Sequence, residues 1–176
     1  MIVYAGDSRD VVKRIITNHC AGNVEASALR RYVAEAIGYQ IKETKRPSGS
    51  TRVRINVLDP RKGEEEVSNY LRSGVWRYVI CDSYEEANNF QWYVIDRFKP
   101  LLNREHRPWN QQNLHRYQAL LSKMSTSSEL TCSQLHGMRS GPGVYVLYHQ
   151  KGPQRELSRA SPSHPPARGL LDCKDL

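Results

Sequence analysis

The N-terminal segment carries a tyrosine, a glycine, an arginine and a histidine at spacings that suit chemistry on a phosphate group. Tyr4 lies in a short β-prone run, and Gly6 would let the backbone approach another group closely. Arg14 can hold a phosphate through two hydrogen bonds, and His19 follows on the same predicted helix. A helix beginning after Gly6 would also favour an anion at its N-terminus. The alternative is a surface arginine on an amphipathic helix and a tyrosine that fills a strand.

The elements that would position these residues are predicted from apolar spacing and capping signals. A strand is predicted over 2–5, and a helix follows it from Val11. A second helix is predicted over 23–38, where Gly38 is a typical C-terminal stop.

Three further elements are predicted before residue 104. Acidic residues favour the N-terminal turn of a helix, so a short one is predicted from Glu64 to Leu71. A strand is predicted over 76–81. Ser83 and the acid three residues later have the form of a capping box, which predicts a helix that ends near Phe98.

The composition becomes more polar after residue 104, which suggests a division of the chain. We expect a compact core over 1–110 and a polar arm or linker over 111–140. A strand within 141–150 could complete the sheet of the core. The proline-rich segment 151–176 is predicted to be a disordered tail.

The charge balance favours a polyanionic partner. The 176 residues include 26 Lys+Arg against 18 Asp+Glu, which gives a formal net charge of +8. A basic globular domain attracts polyanions, and nucleic acid is the commonest of these. A basic loop or hairpin suits a phosphate backbone, and its alternative is a solvated loop. Its candidate nucleic-acid-binding residues are Lys42, Lys45, Arg46, Arg52 and Arg54.

Membrane and zinc-binding classes are not favoured. No apolar run approaches the roughly 20 residues that a membrane span needs, and the N-terminus lacks the pattern of a signal peptide. We therefore expect a cytoplasmic protein without a membrane partner. The four cysteines lack CxxC spacing, so we expect free thiols rather than a zinc site.

In order and spacing, these elements resemble the GIY-YIG nuclease superfamily. The Tyr-Ala-Gly sequence at 4–6 corresponds to its YIG motif, and Arg14 falls eight residues after the glycine, where the family has its helix arginine. His19 lies near a position that is often His or Tyr. Asn103 closes the family's Pro-x-x-Asn pattern. The resemblance covers residues 2–103.

The GIY half of the paired motif departs from the family order. The family has it before the YIG motif, whereas the segment that resembles it here is Gly-Val-Tyr at 143–145. The chain could be circularly permuted, with 143–148 pairing beside 2–5. It could instead be a fragment that runs into a second copy, or exchange strands in a homodimer. The remaining alternative is that 143–148 is an ordinary strand.

The second departure is at the family's metal-binding glutamate. That position lies nine residues before Pro100 and is occupied by Gln91. A neutral amide is a poorer ligand for Mg²⁺ than a carboxylate. The sequence therefore fits either a natural inactive relative or a Glu→Gln knock-out.

The resemblance implies an α/β (α+β) fold, in which a small antiparallel sheet is flanked by helices. It also implies hydrolysis of a phosphodiester at one divalent metal, expected to be Mg²⁺ and weakened by the amide at the metal position. Tyr4 and Tyr145 would act on the attacking water, Arg14 would hold the scissile phosphate with His19 nearby, and Asn103 would brace the site. This division suits an anionic diester, which needs positive charge to stabilise its transition state.

Three functions remain open. The first is a metal-dependent endonuclease that acts on DNA (or RNA), in an active or an inactive form. The second is a catalytically silent nucleic-acid-binding module of the same fold. The third is a protein-interaction domain with a basic surface.

Overall fold

The last strand of the fold lies far along the sequence from the first. The computed structural model describes residues 1–150, 152 and 153. The predicted disordered tail over 151–176 lies outside the described residues, apart from Gly152 and Pro153. In chain order the elements are strand β1 (Ile2–Ser8), helix α1 (Val11–Lys13, continued by a π-helical segment, Arg14–Cys20), α2 (Ala28–Ala36), β2 (Ile41–Lys45), β3 (Thr51–Ile55), α3 (Pro60–Ser73), β4 (Val75–Ile80), α4 (Tyr84–Phe98), a 3₁₀ turn (Gln111–Asn113), α5 (Leu114–Thr126) and β5 (Gly143–Tyr148).

The central strand of the main sheet comes from the C-terminal part of the chain. The strand order is β1-β5-β4, and both pairings are antiparallel. Strand β5 therefore pairs within its own chain on both edges, and the fold needs no strand exchange between two copies. The α/β fold with a small antiparallel sheet flanked by helices is as expected from the sequence.

Strand β5 is apolar throughout because helices cover both faces of the sheet. Tyr145 and Leu147 belong to the core on the side of α1, α2 and α3. Val144 and Val146 belong to the core on the side of α4 and α5. Alternate residues of a strand point to opposite faces, so a continuous apolar run is what a strand buried on both faces requires.

The basic segment forms a hairpin of its own. Strands β2 and β3 pair antiparallel, and Val53 and Ile55 bury their side chains in the core. Lys42 lies directly opposite Arg54, and both are exposed. The hairpin thus has an apolar face towards the body and a basic face towards solvent.

Helices α3 and α4 begin at the residues whose side chains cap them. Ser83 accepts a hydrogen bond from the Glu86 N–H, as the predicted capping box requires. The Glu86 carboxylate accepts from the Asp82 N–H, one residue before the cap (2.8 Å). Helix α3 is longer than the predicted 64–71 segment because Asp59 caps it and Pro60 occupies its first turn, where a missing N–H costs nothing.

The prediction of a polar arm or linker over 111–140 is wrong for a large part of that segment. Helix α5 buries Tyr117, Leu120 and Met124 against the core. Leu130 then pairs with Trp76 at the edge of β4. The apolar residues of α5 have helical spacing, but the polar residues between and after them conceal it.

The prediction of free thiols is wrong for two of the cysteines. Cys20 and Cys132 form a disulfide across a sequence separation of 112 residues. Cys81 is free and buried. None of the described helices is long and apolar enough to cross a membrane.

The position of β5 predicts the effect of truncation. A small sheet needs about three strands and a hydrophobic face to be stable, so a chain ending after residue 140 should lose its cooperative thermal transition. A chain ending after residue 153 retains β5 and serves as the control. Calorimetry of both chains makes the comparison. Equal melting of the two would show that β5 contributes nothing to the stability of the sheet.

Candidate active site

Two tyrosines from opposite ends of the chain meet above Gly6. In the pairing of β1 with β5, Gly6 lies opposite Tyr145. The rings of Tyr4 and Tyr145 lie with their centroids 6.4 Å apart. A Cβ at Gly6 would overlap the Tyr145 hydroxyl and would come within 2.9 Å of Cε1 of Tyr4. The glycine therefore makes room for the tyrosine pair.

His19 links this tyrosine pair to the start of α2. Its Nε2 lies 2.7 Å from the Tyr145 hydroxyl, and its Nδ1 lies 2.7 Å from Oγ of Ser27. In the tautomer that carries the proton on Nδ1, His19 donates to Ser27 and accepts from Tyr145. The imidazole is fully buried and stacks on the indole of Trp76, with centroids 5.9 Å apart. These contacts hold the ring in one orientation.

A π-helical segment brings Arg14 to the same face as His19. The Ala21 N–H donates to the carbonyl of Ile16, five residues earlier, at 3.0 Å. Because π-helical hydrogen bonds join residues five apart, they align two side chains with the spacing of Arg14 and His19. In an α-helix, the aligned residues are three or four apart. Arg14 is half-buried and also donates to the carbonyl of Ala26 (3.2 Å).

Burial sets the protonation of the cluster. Desolvation raises the pKa of Tyr4 to about 12, and the nearby Arg14 guanidinium partly opposes the increase. The pKa of Tyr145 also lies well above its ordinary value because of burial, again opposed by Arg14. Burial together with the charges of Arg14 and Arg30 lowers the pKa of His19 well below 6.5. At neutral pH both tyrosines are therefore protonated and His19 is neutral.

A buried ion pair holds the backbone beneath His19. The Arg30 side chain is fully buried, and its Nη2 lies 2.7 Å from the Glu64 carboxylate. Nη1 of Arg30 donates to the carbonyl of His19 (2.7 Å), and Nη2 also donates to Ser68 (3.0 Å). Arg30 thereby ties α1, α2 and α3 together. A planar guanidinium suits several fixed acceptors at once.

Asn103 braces β1 from its outer edge. Its Oδ1 accepts from the N–H of Ala5 (2.8 Å), and its Nδ2 donates to the carbonyl of the same residue (2.9 Å). On the outer edge of β1, the Asn103 amide thus forms with Ala5 the two hydrogen bonds that a neighbouring strand would otherwise form. Next to it, the Leu102 N–H donates to the carbonyl of Val3 (2.9 Å).

Gln91 lies on α4, which packs against β1 and β5 on the other side of the sheet. Its side chain is buried (8% exposed), and its Oε1 has no hydrogen-bond partner among the described residues. An unpartnered buried oxygen fits a hard cation such as Mg²⁺, which prefers oxygen ligands. A group of three or more His, Cys, Asp or Glu that could hold a metal is not found in the described part of the chain.

The five basic residues of the hairpin do not join the tyrosine cluster, and they divide into two groups. Arg46 donates to both carboxylate oxygens of Glu25, at 2.6 and 2.9 Å. The Lys45 ammonium donates to Thr51 (2.8 Å). The other three share the exposed face of the hairpin and form no ion pair within the described residues. They are Lys42, Arg52 and Arg54.

Sequence reasoning missed several residues that hold the cluster in place. Ser27 could have been found as the N-cap of α2, because its hydroxyl accepts from the Arg30 N–H. Neither Arg30 nor Glu64 has a local signal, because their pairing depends on how α2 and α3 pack. Trp76 is fully buried beside His19.

Comparison with known protein families gives one match. The family model of the GIY-YIG catalytic domain matches residues 1–124. The match ends before β5, which supplies Tyr145. Searches of the curated proteins and of the solved structures return no significant match.

Replacing Gly6 by alanine should destabilise the protein. The new Cβ has to displace the Tyr145 hydroxyl and ring, and overpacking of this kind costs about 1–3 kcal/mol. Chemical denaturation of the variant measures the loss. Gly141→Ala is the matched control, because the nearest atom to its Cβ would be the Ile80 Cγ2 at 3.4 Å. Equal stability of the two variants would show that the tyrosine pair adapts freely.

Buried His19 should make the protein less stable in mild acid. Its pKa is about 6.5 in the unfolded chain and well below that in the folded state, so the unfolded state binds more protons below pH 6.5. The free energy of unfolding should then fall by up to about 1.4 kcal/mol per pH unit between pH 6.5 and the folded-state pKa. Denaturation from pH 7 to pH 5 measures this slope. His19→Gln removes the titrating group and should flatten it, whereas an unchanged slope would assign the loss to other groups.

Proposed function

The chain belongs to the GIY-YIG catalytic domain family, and from that membership we propose that it is a metal-dependent endonuclease that hydrolyses phosphodiester bonds of DNA. The observation that carries this proposal is the cluster of Tyr4, Tyr145, His19 and Arg14. The cluster combines a protonated hydroxyl, a neutral imidazole 2.7 Å from it and a nearby guanidinium. Those groups can move one proton and hold one anion, as hydrolysis of a phosphodiester requires.

The hydroxyl and the imidazole form a relay for the proton of the attacking water. As the water oxygen attacks phosphorus, one water proton moves to Oη of Tyr145, whose own proton moves to Nε2 of His19. Burial and the arginines disfavour the imidazolium, so His19 keeps this proton only briefly. The bond from phosphorus to the leaving oxygen breaks, that oxygen takes a proton from solvent, and His19 returns its proton to solvent through Tyr145. Tyr4 orients the water from the other side of Gly6.

Arg14 holds the scissile phosphate. It is half-buried, and its charge reaches the hydroxyls of both tyrosines. A guanidinium can bind two phosphate oxygens and oppose the negative charge of the transition state. A divalent cation, held by Oε1 of Gln91, would supply further positive charge to that transition state when bound. Asn103 keeps β1, and with it Tyr4, in register.

The basic hairpin would bind nucleic acid at a distance from the tyrosine cluster. Lys42 and Arg54 face each other across the two strands, an arrangement of like charges that destabilises a hairpin. A phosphate backbone would neutralise this repulsion. We propose that these two residues and Arg52 contact DNA phosphates. Arg46 and Lys45 support the hairpin through Glu25 and Thr51 instead.

The second candidate is a catalytically silent nucleic-acid-binding module. Gln91 favours it, since an amide has no negative charge with which to retain Mg²⁺. The basic hairpin serves either function. The two candidates differ only in whether a nucleic acid, once bound, is cut.

Plasmid cleavage in Mg²⁺ by the full chain and by a Gln91→Glu variant separates the candidates. We expect the carboxylate to raise the cleavage rate, because it binds the cation more strongly. In that background, Arg14→Ala should lower the rate by about 100-fold or more, as loss of a donor to the transition state does. The loss of stability should be small beside this, because Arg14 is only half-buried and its hydrogen bond to the carbonyl of Ala26 is worth about 1 kcal/mol.

Lys13→Ala in the same background is the control, because Lys13 is an exposed, positively charged residue next to Arg14. Salt-dependent DNA binding without cleavage by any variant would favour the silent module. Absence of DNA binding at low salt would reject both candidates and favour a protein-interaction domain.

A further inference from the structure

The unpartnered oxygen of Gln91 lacks a charged neighbour on its own helix. Glu85 and Glu86 lie six and five residues before it and Asp96 five residues after it, whereas side chains three or four apart are neighbours on a helix. Glu86 is bound by Arg116 (2.6 Å), and Asp96 accepts from Trp109 (3.0 Å). A carboxylate for this position must therefore come from another element.

Asp7 on β1 is a carboxylate that contacts α4 close to Gln91 in the helix sequence. Its Oδ2 accepts a hydrogen bond from Nδ2 of Asn88, at 3.0 Å. Asn88 lies three residues before Gln91, so the two are neighbours on α4. Asp7 therefore contacts α4 at a residue one turn before Gln91. It directly follows Gly6, the residue above which the tyrosines meet.

The carboxylate of Asp7 is available to bind a cation. It is half-exposed and forms no ion pair with any described residue. Burial is the main cause of the raised pKa values of Tyr4 and Tyr145, and the charge of Asp7 adds to both increases. The charge of Asp7 also contributes, after burial, to raising the pKa of Tyr84. A carboxylate near the reacting groups and without a cation of its own is a suitable ligand for a metal.

We propose that Asp7 is a metal ligand of this protein and that, with Oε1 of Gln91, it replaces the single glutamate of the GIY-YIG site. The proposal rests on the nuclease function proposed above. Mg²⁺ keeps several waters and is commonly held by one or two carboxylates, so one carboxylate and one amide oxygen are sufficient protein ligands. The negative charge has moved from α4 to the adjacent strand, and the position of the cation has been kept.

Binding of Mn²⁺ to the full chain without nucleic acid tests this assignment. Titration calorimetry should show one site, and Asp7→Asn should weaken its Kd by at least tenfold. Glu85→Gln makes the same chemical change at an exposed position of α4 and should leave the Kd unchanged. In the Asp7→Asn protein, a second substitution, Gln91→Glu, should restore binding. That restoration would also show that the asparagine variant is folded.

The outcomes separate this assignment from the nuclease function. An unchanged Kd in Asp7→Asn, or no Mn²⁺ binding by the unmodified chain, would overturn the role of Asp7. If Gln91→Glu then cleaved plasmid, the nuclease function would stand without it. Tenfold weaker Mn²⁺ binding by Asp7→Asn, with no cleavage by any variant, would support Asp7 as a ligand while rejecting the nuclease function.

Discussion

The pairing of β5 between β1 and β4 is the constraint on which the rest of the structure depends. This one strand presents Tyr145 to the site on one face and Val146 to the helical core on the other. Both helical layers pack against it, and β1 would have no strand neighbour in the sheet without it. The same pairing places Tyr145 over Gly6 and within hydrogen-bond distance of His19. Fold and site are therefore formed by the same long-range contact.

Buried charge determines what the site can do. Arg30 needs Glu64, Ser68 and the carbonyl of His19 because an unpaired guanidinium is costly to bury. Burial, with the charges of Arg14 and Arg30, lowers the pKa of His19 and keeps it neutral, and burial raises the pKa of both tyrosines. A neutral imidazole next to a protonated hydroxyl is the state from which a proton can be accepted. The two pKa shifts oppose transfer of a proton from Tyr145 to His19, so the proposed relay would hold that proton on His19 only briefly.

Gln91 of α4 is the point at which this chain departs from the pattern of its family. The family match covers most of the chain, and the cluster around Tyr4 has the groups that the family's hydrolysis would use. The amide of Gln91 is the exception, and its oxygen is left without a partner among the described residues. Under the proposed function, cleavage of nucleic acid would depend on how much negative charge lies near that oxygen. Asp7 of β1 contacts α4 at Asn88, three residues before Gln91.

Several features of this protein can be predicted from local sequence. The apolar run at β5 indicated a strand, Ser83 indicated the start of α4, and the spacing from Gly6 to Arg14 indicated the family. These signals are short-range, because capping, periodicity and motif spacing act within a few residues.

Tertiary structure alone decided what those elements assemble into. The polar composition around α5 hid a helix that the core requires, and the bond between Cys20 and Cys132 joins segments with no common motif. Arg30 became a buried anchor only because α3 brings Glu64 to it. Each of these contacts joins residues far apart in the chain. Such a contact stabilises the fold only once the intervening chain has closed into a loop. Local sequence patterns do not determine which distant residues that closure brings together.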